Sequence, residues 1–138
     1  MKKKGSKCDY IESRNENLKR EFLARVGRNG RTVKKTIEAM TRVPADRFYI
    51  SEERAEAEIK RIVSEGFGFT LPEAGEAVRN KMRQVMIREI LRRVKTLMES
   101  RSGLTLRDAI YEVVNSPAPC FYLTPGSMRT ILYRALRS

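Results

Sequence analysis

Pro44-Ala45-Asp46-Arg47-Phe48-Tyr49-Ile50-Ser51 lines up with Pro117-Ala118-Pro119-Cys120-Phe121-Tyr122-Leu123-Thr124 at an offset of 73 residues, with four identities and two conservative pairs. A match of this kind is read before any single element, because self-similarity decides the architecture. The same offset pairs Thr32 with Thr105, Val33 with Leu106, Lys34 with Arg107, Ile37 with Ile110 and Met40 with Val113 upstream. Downstream it pairs Ile59 with Leu132, Arg61 with Arg134 and Val63 with Leu136. Each copy therefore reads as two helices, a linker and a third helix around the Phe-Tyr motif.

The elements follow from local chemistry. Apolar residues at helical spacing open each copy: Ile11, Leu18, Phe22 and Val26, then Met82, Met86, Ile90, Val94 and Leu97. Thr32 and Thr105 stand where N-caps belong, ahead of Val33, Ile37 and Met40 in one copy and Leu106, Ile110, Val113 and Val114 in the other. Pro44 and Pro117 stop those helices, since proline has no amide hydrogen and pushes the preceding residue out of the helical region. Ser51 and Thr124 then cap a third helix, with Pro125 suited to its first position. Its buried set is Ala55, Ile59, Ile62 and Val63 in copy one, and Met128, Ile131, Leu132, Ala135 and Leu136 in copy two.

The sequence thus predicts an all-α chain, a tandem pseudo-repeat of two three-helix units joined by a long helix. Its spans are a flexible basic arm over 1–9, repeat one over 10–65, a hinge over 66–71 and repeat two over 72–138. Pro72 to about Ser100 reads as one helix, weakened near its start by Gly75. Phe67 and Phe69 in the hinge are read as packing residues.

With 29 Lys and Arg against 17 Asp and Glu in 138 residues, the formal charge is +12. Polyanions are the natural partners, nucleic acid first, because clustered cations release counterions from a phosphate backbone. An acidic protein is the alternative partner, and docking one in a mobile-element or phage assembly is the rival role. No membrane role is expected, since no apolar run approaches the roughly 20 residues that span a bilayer. Cys8 and Cys120 lack metal or redox spacing and read as unpaired thiols of an intracellular, cytoplasmic protein, nucleoid-associated if it binds DNA.

The chain has no His, the commonest general base at neutral pH, and no phosphate loop, nucleophile elbow or metal-spaced cluster. It reads as a non-enzyme without cofactor or metal. Glu52, Glu53, Glu56 and Glu58 are carboxylates opposing the dipole of the third helix of copy one rather than catalytic groups. The Phe-Tyr pairs read as core residues that fix how the third helix enters.

Cations cluster in four places. Lys2, Lys3, Lys4 and Lys7 form the arm. Arg25, Arg28, Arg31, Lys34 and Lys35 surround the turn before the second helix. Lys81, Arg88, Arg92 and Lys95 fall within about 60° on a helix turning about 100° per residue, a stripe for phosphate contact or solvation. Copy two's third helix offers Ser127, Arg129, Thr130, Tyr133, Arg134 and Arg137, with no acid from Phe121 onward.

Helix, turn, helix with the third helix turned outward resembles the tri-helical helix-turn-helix class of DNA-binding domains. The linkers, Val43 to Ile50 and Ser116 to Leu123, exceed the about 3 to 4 residue turn of that class. The Pro-Ala-Pro-x-Phe-Tyr-Leu-Thr signature is also similar to that of small basic proteins of uncharacterised function. The resemblance implies duplex DNA, ahead of RNA, as the ligand, read mainly from the first turns of a recognition helix. The candidate nucleic-acid-binding residues are Lys34, Lys35, Lys81, Arg88, Arg92, Lys95, Arg129, Thr130, Arg134 and Arg137, with copy two's third helix as the principal reader.

Overall fold

The computed structural model of the protein describes residues 5–67 and 81–137. Among them the chain is all-α: α1 (Gly5–Arg25), α2 (Val33–Met40), α3 (Glu52–Ile62), α4 (Lys81–Ser100), α5 (Leu106–Val114) and α6 (Pro125–Arg137). A single 3-10 turn, Arg28–Gly30, precedes α2, and a π turn, Val63–Phe67, ends α3. α1 begins at Gly5, so part of the span expected as an arm is helical, while Lys2, Lys3 and Lys4 lie outside the described residues. Residues 68–71 of the expected hinge and 72–80 of the expected long helix also lie outside them.

The caps form where the sequence predicts. The hydroxyl oxygens of Thr32, Ser51, Thr105 and Thr124 accept from the amides of Lys35, Arg54, Asp108 and Ser127 at 3.1 to 3.2 Å. Each satisfies a donor that a helix start would otherwise leave open. Gly30 and Gly103, 73 residues apart, both adopt left-handed backbone, with φ of 71° and 85°, a conformation open to glycine and costly for a side chain.

The helices sort into two compact units. Unit 1 comprises 1–49 and 117–138, hence α1, α2 and α6; unit 2 comprises 50–116, hence α3, α4 and α5. Each repeat span thus contributes to both units: 10–65 gives α1 and α2 to unit 1 but α3 to unit 2, and 72–138 gives α4 and α5 to unit 2 but α6 to unit 1. The physical reason lies in the third helices. Both offer a short apolar stripe to two partner helices, Ala55, Ile59 and Ile62 in α3 and Met128 and Leu132 in α6, so nothing local ties either to the pair before it.

In unit 1, α6 packs on α1 and α2. Leu18, Phe22, Ile37, Met40, Phe48, Met128 and Leu132 are buried there, each worth about 1.5–3 kcal/mol of transfer free energy. The two Phe-Tyr segments meet in this unit. Ala45 and Ala118, equivalent by the offset, exchange both backbone hydrogen bonds at 3.0 Å. Phe48 stacks on Tyr122 at 6.1 Å and Tyr49 on Phe121 at 6.2 Å, so the junction maps onto itself when the segments are interchanged. Tyr122 is held at φ 57°, a left-handed conformation rare for a bulky side chain.

Buried Asn17 ties α1 to this junction, its Oδ1 accepting from the Asp46 amide and from the Tyr49 hydroxyl, both at 2.8 Å. Arg20 donates to both oxygens of Asp46 at 2.9 and 3.1 Å, and the Arg47 guanidinium lies 4.1 Å above the Tyr10 ring.

In unit 2, α5 packs on α4 and α3. Ala55, Ile59, Ile62, Met86, Ile87, Ile90, Leu91, Val94, Ala109, Ile110, Val113 and Val114 are buried. The expected buried sets differ at their margins. Ile11, Val33 and Leu136 are exposed, and Val26, Val63, Met82, Leu97, Leu106, Ile131 and Ala135 are half-buried, because they sit at helix ends or at the edge of the packed stripe.

Candidate nucleic-acid interface

Charge divides unequally between the units. Unit 1 carries 17 Lys and Arg against 6 Asp and Glu, or +11; unit 2 carries 12 against 11, or +1. Counted by the spans 10–65 and 72–138 the same residues give +3 and +6, with +3 on 1–9, and the concentration disappears. The spatial grouping of α6 with α1 and α2 creates the field, because α6 brings three arginines and no acid to unit 1 while α3, with its four glutamates, goes to unit 2.

Six of the ten candidate residues stand in unit 1. Lys34 and Lys35, in the first turn of α2, are exposed, as are Arg28 and Arg31 just before it. Arg28, Arg31, Lys34 and Lys35 make no ion pair among the described residues, although Glu38 lies one turn along α2. A first turn without acids leaves the helix's positive end uncompensated and open to an outside anion. Arg129, Thr130, Arg134 and Arg137 lie exposed on α6, and the Thr130 hydroxyl donates to the Gly126 carbonyl at 3.2 Å. Arg129 and Arg137 have no ion-pair partner among the described residues.

Two further residues lie outside the ten candidates: Tyr133, which the sequence already places on the reading helix, and Arg14, which it does not single out. Tyr133, 54% exposed, is one helical turn from both Arg129 and Arg137, and its ring finds no place in the core. Its spacing was the available signal. Arg14 on α1 borders a surface cavity of about 420 Å³ shared with Leu123, Gly126, Ser127, Thr130 and Ile131. Burial holds the Arg14 guanidinium below its ordinary pKa, and its hydrogen bonds go to the Asn15 side-chain oxygen at 3.2 Å, a neutral acceptor. No local pattern marks Arg14, which looks like any cation of an amphipathic helix.

The other four candidates are on α4 in unit 2. Lys81 and Lys95 are exposed, while Arg88 is half-buried. Arg92 donates through two nitrogens to the Glu89 carboxylate at 2.6 and 3.2 Å, and Arg93 donates to the same group at 2.8 Å. The hydrogen bond from Arg92, with that from Arg93 behind it, holds the Glu89 carboxyl below its ordinary pKa of 4.5 against the opposing effect of burial. The stripe is therefore partly neutralised from within, and Glu89 at i−3 from Arg92 was the visible sign.

Unit 2's third helix is neutralised more thoroughly. Lys60 reaches Glu56 at 2.9 Å, Arg107 reaches Glu56 at 3.5 Å, and Arg61 reaches Glu58 at 3.2 Å and Glu65 at 3.5 Å. The Asn115 amide donates to Glu52 at 3.1 Å, and Arg101 pairs with Glu112.

Cys120 is a free, half-buried thiol whose pKa is raised by burial, which keeps it protonated and a poor nucleophile. Among the described residues no group of three Cys, Asp or Glu could hold a metal ion, and no helix is long and apolar enough to cross a membrane. Comparison with protein-family models, with curated proteins and with solved structures finds no match for the chain.

Proposed function

We propose that the chain is a tandem pseudo-repeat whose copies have exchanged third helices, and that unit 1 is a non-enzymatic nucleic-acid-binding module, with duplex DNA the first ligand to test. The observation that carries this reading is the concentration of nearly all the net charge, +11 of +12, in a unit made of 71 residues. Its six carboxylates are too few for its 17 cations, and those that pair among the described residues do so with Arg20 and Arg25 on α1, away from the cations of α2 and α6. Phosphates are the ligands that such a surface holds best, through counterion release. α2 and α6 supply the contacts, α6 as the principal reader, and unit 2 contributes structure.

Fluorescence titration of a labelled DNA duplex at several salt concentrations tests it. Affinity falls steeply with salt, by about one log unit per log unit of salt for each phosphate neutralised. Absence of binding at about 20 mM salt overturns the reading. A stoichiometric acidic protein that copurifies and survives nuclease treatment would favour the adaptor role instead.

A further inference from the structure

The two units treat one position of the scaffold in opposite ways. In unit 2 the contact between α3 and α5 is closed by a carboxylate: Glu56, its side chain 14% exposed, takes Arg107 from α5 at 3.5 Å and Lys60 from its own helix at 2.9 Å. At the 73-residue offset, Arg107, Glu56 and Lys60 become Lys34, Arg129 and Tyr133. Lys34 stands on α2 and the other two on α6, and α2 and α6 are packed together, as are α5 and α3. Unit 1 thus replaces the central anion with a second cation and the flanking lysine with an aromatic ring.

Nothing inside unit 1 answers the change. Lys34 and Arg129 are exposed and make no ion pair among the described residues, α6 has no acid, and Glu38, the acid of α2, makes no ion pair among them either. Two cations at the positions that the offset aligns with the salt bridge of unit 2 leave that place open to an anion from outside. The ring beside them is 54% exposed, so packing does not require it.

Resting on the nucleic-acid reading above, we propose that a backbone phosphate of a nucleic-acid strand binds between Lys34 and Arg129, in the place of the Glu56 carboxylate, and that Tyr133 stacks on an adjoining exposed base. The preferred ligand is then a strand with unstacked bases, single-stranded or locally opened, over an undistorted duplex. Arg gives the phosphate a planar fork and Lys a mobile point charge, a combination suited to holding one diester while its base turns aside.

The test compares Arg129→Glu with Arg137→Glu in the full chain, which change net charge equally on one helix. Arg129→Glu restores the unit 2 arrangement. Its melting temperature stays level or rises, its affinity for a single-stranded oligonucleotide falls more than tenfold, and the salt slope drops by about two, because Lys34 is then held internally. Arg137→Glu loses less affinity, with a slope change of about one. Tyr133→Ser weakens single-strand binding about tenfold and duplex binding less. Equal losses for the two arginine variants overturn the phosphate position, and equal losses on both ligands for Tyr133→Ser overturn the stacking. Equal affinity of the wild type for poly-glutamate overturns the choice of ligand. Absence of any oligonucleotide binding by the wild type removes the nucleic-acid reading itself.

Discussion

Asn17 shows how much one side chain can decide in a junction built from a repeated motif. It is 2% exposed, and one oxygen serves both the Asp46 amide and the Tyr49 hydroxyl, while its own NH2 group has no partner. Asn17→Ala takes the acceptor from two part-buried donors and leaves a cavity, so it costs about 2–3 kcal/mol, against about 1 kcal/mol for Tyr49→Phe, which leaves the Asp46 amide bonded. Chemical denaturation monitored by circular dichroism checks the ratio; similar costs would show that Asn17 does not anchor the junction. The caps and the buried Ile37, Ile59 and Ile110 were legible in the sequence, because a hydroxyl before an apolar stripe acts over one helical turn. Asn17 was not. Its two partners lie 29 and 32 residues away, and only the folded junction gives it a task.

Helices α3 and α6, which the 73-residue offset aligns, do not share a charge logic. α3 and its neighbours pair their acids locally, and α4 does the same through Glu89. Because the folded-state pKa of Glu89 is depressed, its stabilisation is present above the ordinary value of 4.5 and is lost as pH falls through the folded value. Glu56 shifts in the same direction, chiefly through its hydrogen bond with Lys60. Unit 2 amides should therefore lose hydrogen-exchange protection as pH drops below 4.5. Glu89→Gln should flatten that decline and cost about 1 kcal/mol at pH 7. An unchanged profile in Glu89→Gln would show the carboxylate to be idle. The acid-free character of α6 was legible at once, since it is a property of composition. The neutralisation of Arg92 was less so, because whether Glu89 serves the helix's outer face depends on rotamers and on the second claim made by Arg93.

At the scale of the molecule, the least legible feature is which third helix belongs to which unit. The 73-residue sequence match leaves the grouping of the helices open, because α3 and α6 bury stripes of the same kind. That grouping changes the functional argument. It gathers Lys34 and Lys35 with Arg129, Arg134 and Arg137 in a unit of +11 and leaves the α4 stripe in a unit of +1. Charge totals were available from the first line of sequence, whereas their concentration depends on α6 joining α1 and α2.

The central claim, that unit 1 is the nucleic-acid-binding unit, is met most directly by a residue-resolved footprint: amide chemical-shift changes of the full chain on adding a DNA oligonucleotide at low salt. If unit 1 binds, changes concentrate at Arg28 to Lys35 and from Ser127 to Arg137, with Arg54 to Arg61 and Arg92 unmoved. Changes centred on α4, or spread evenly over both units, would contradict it.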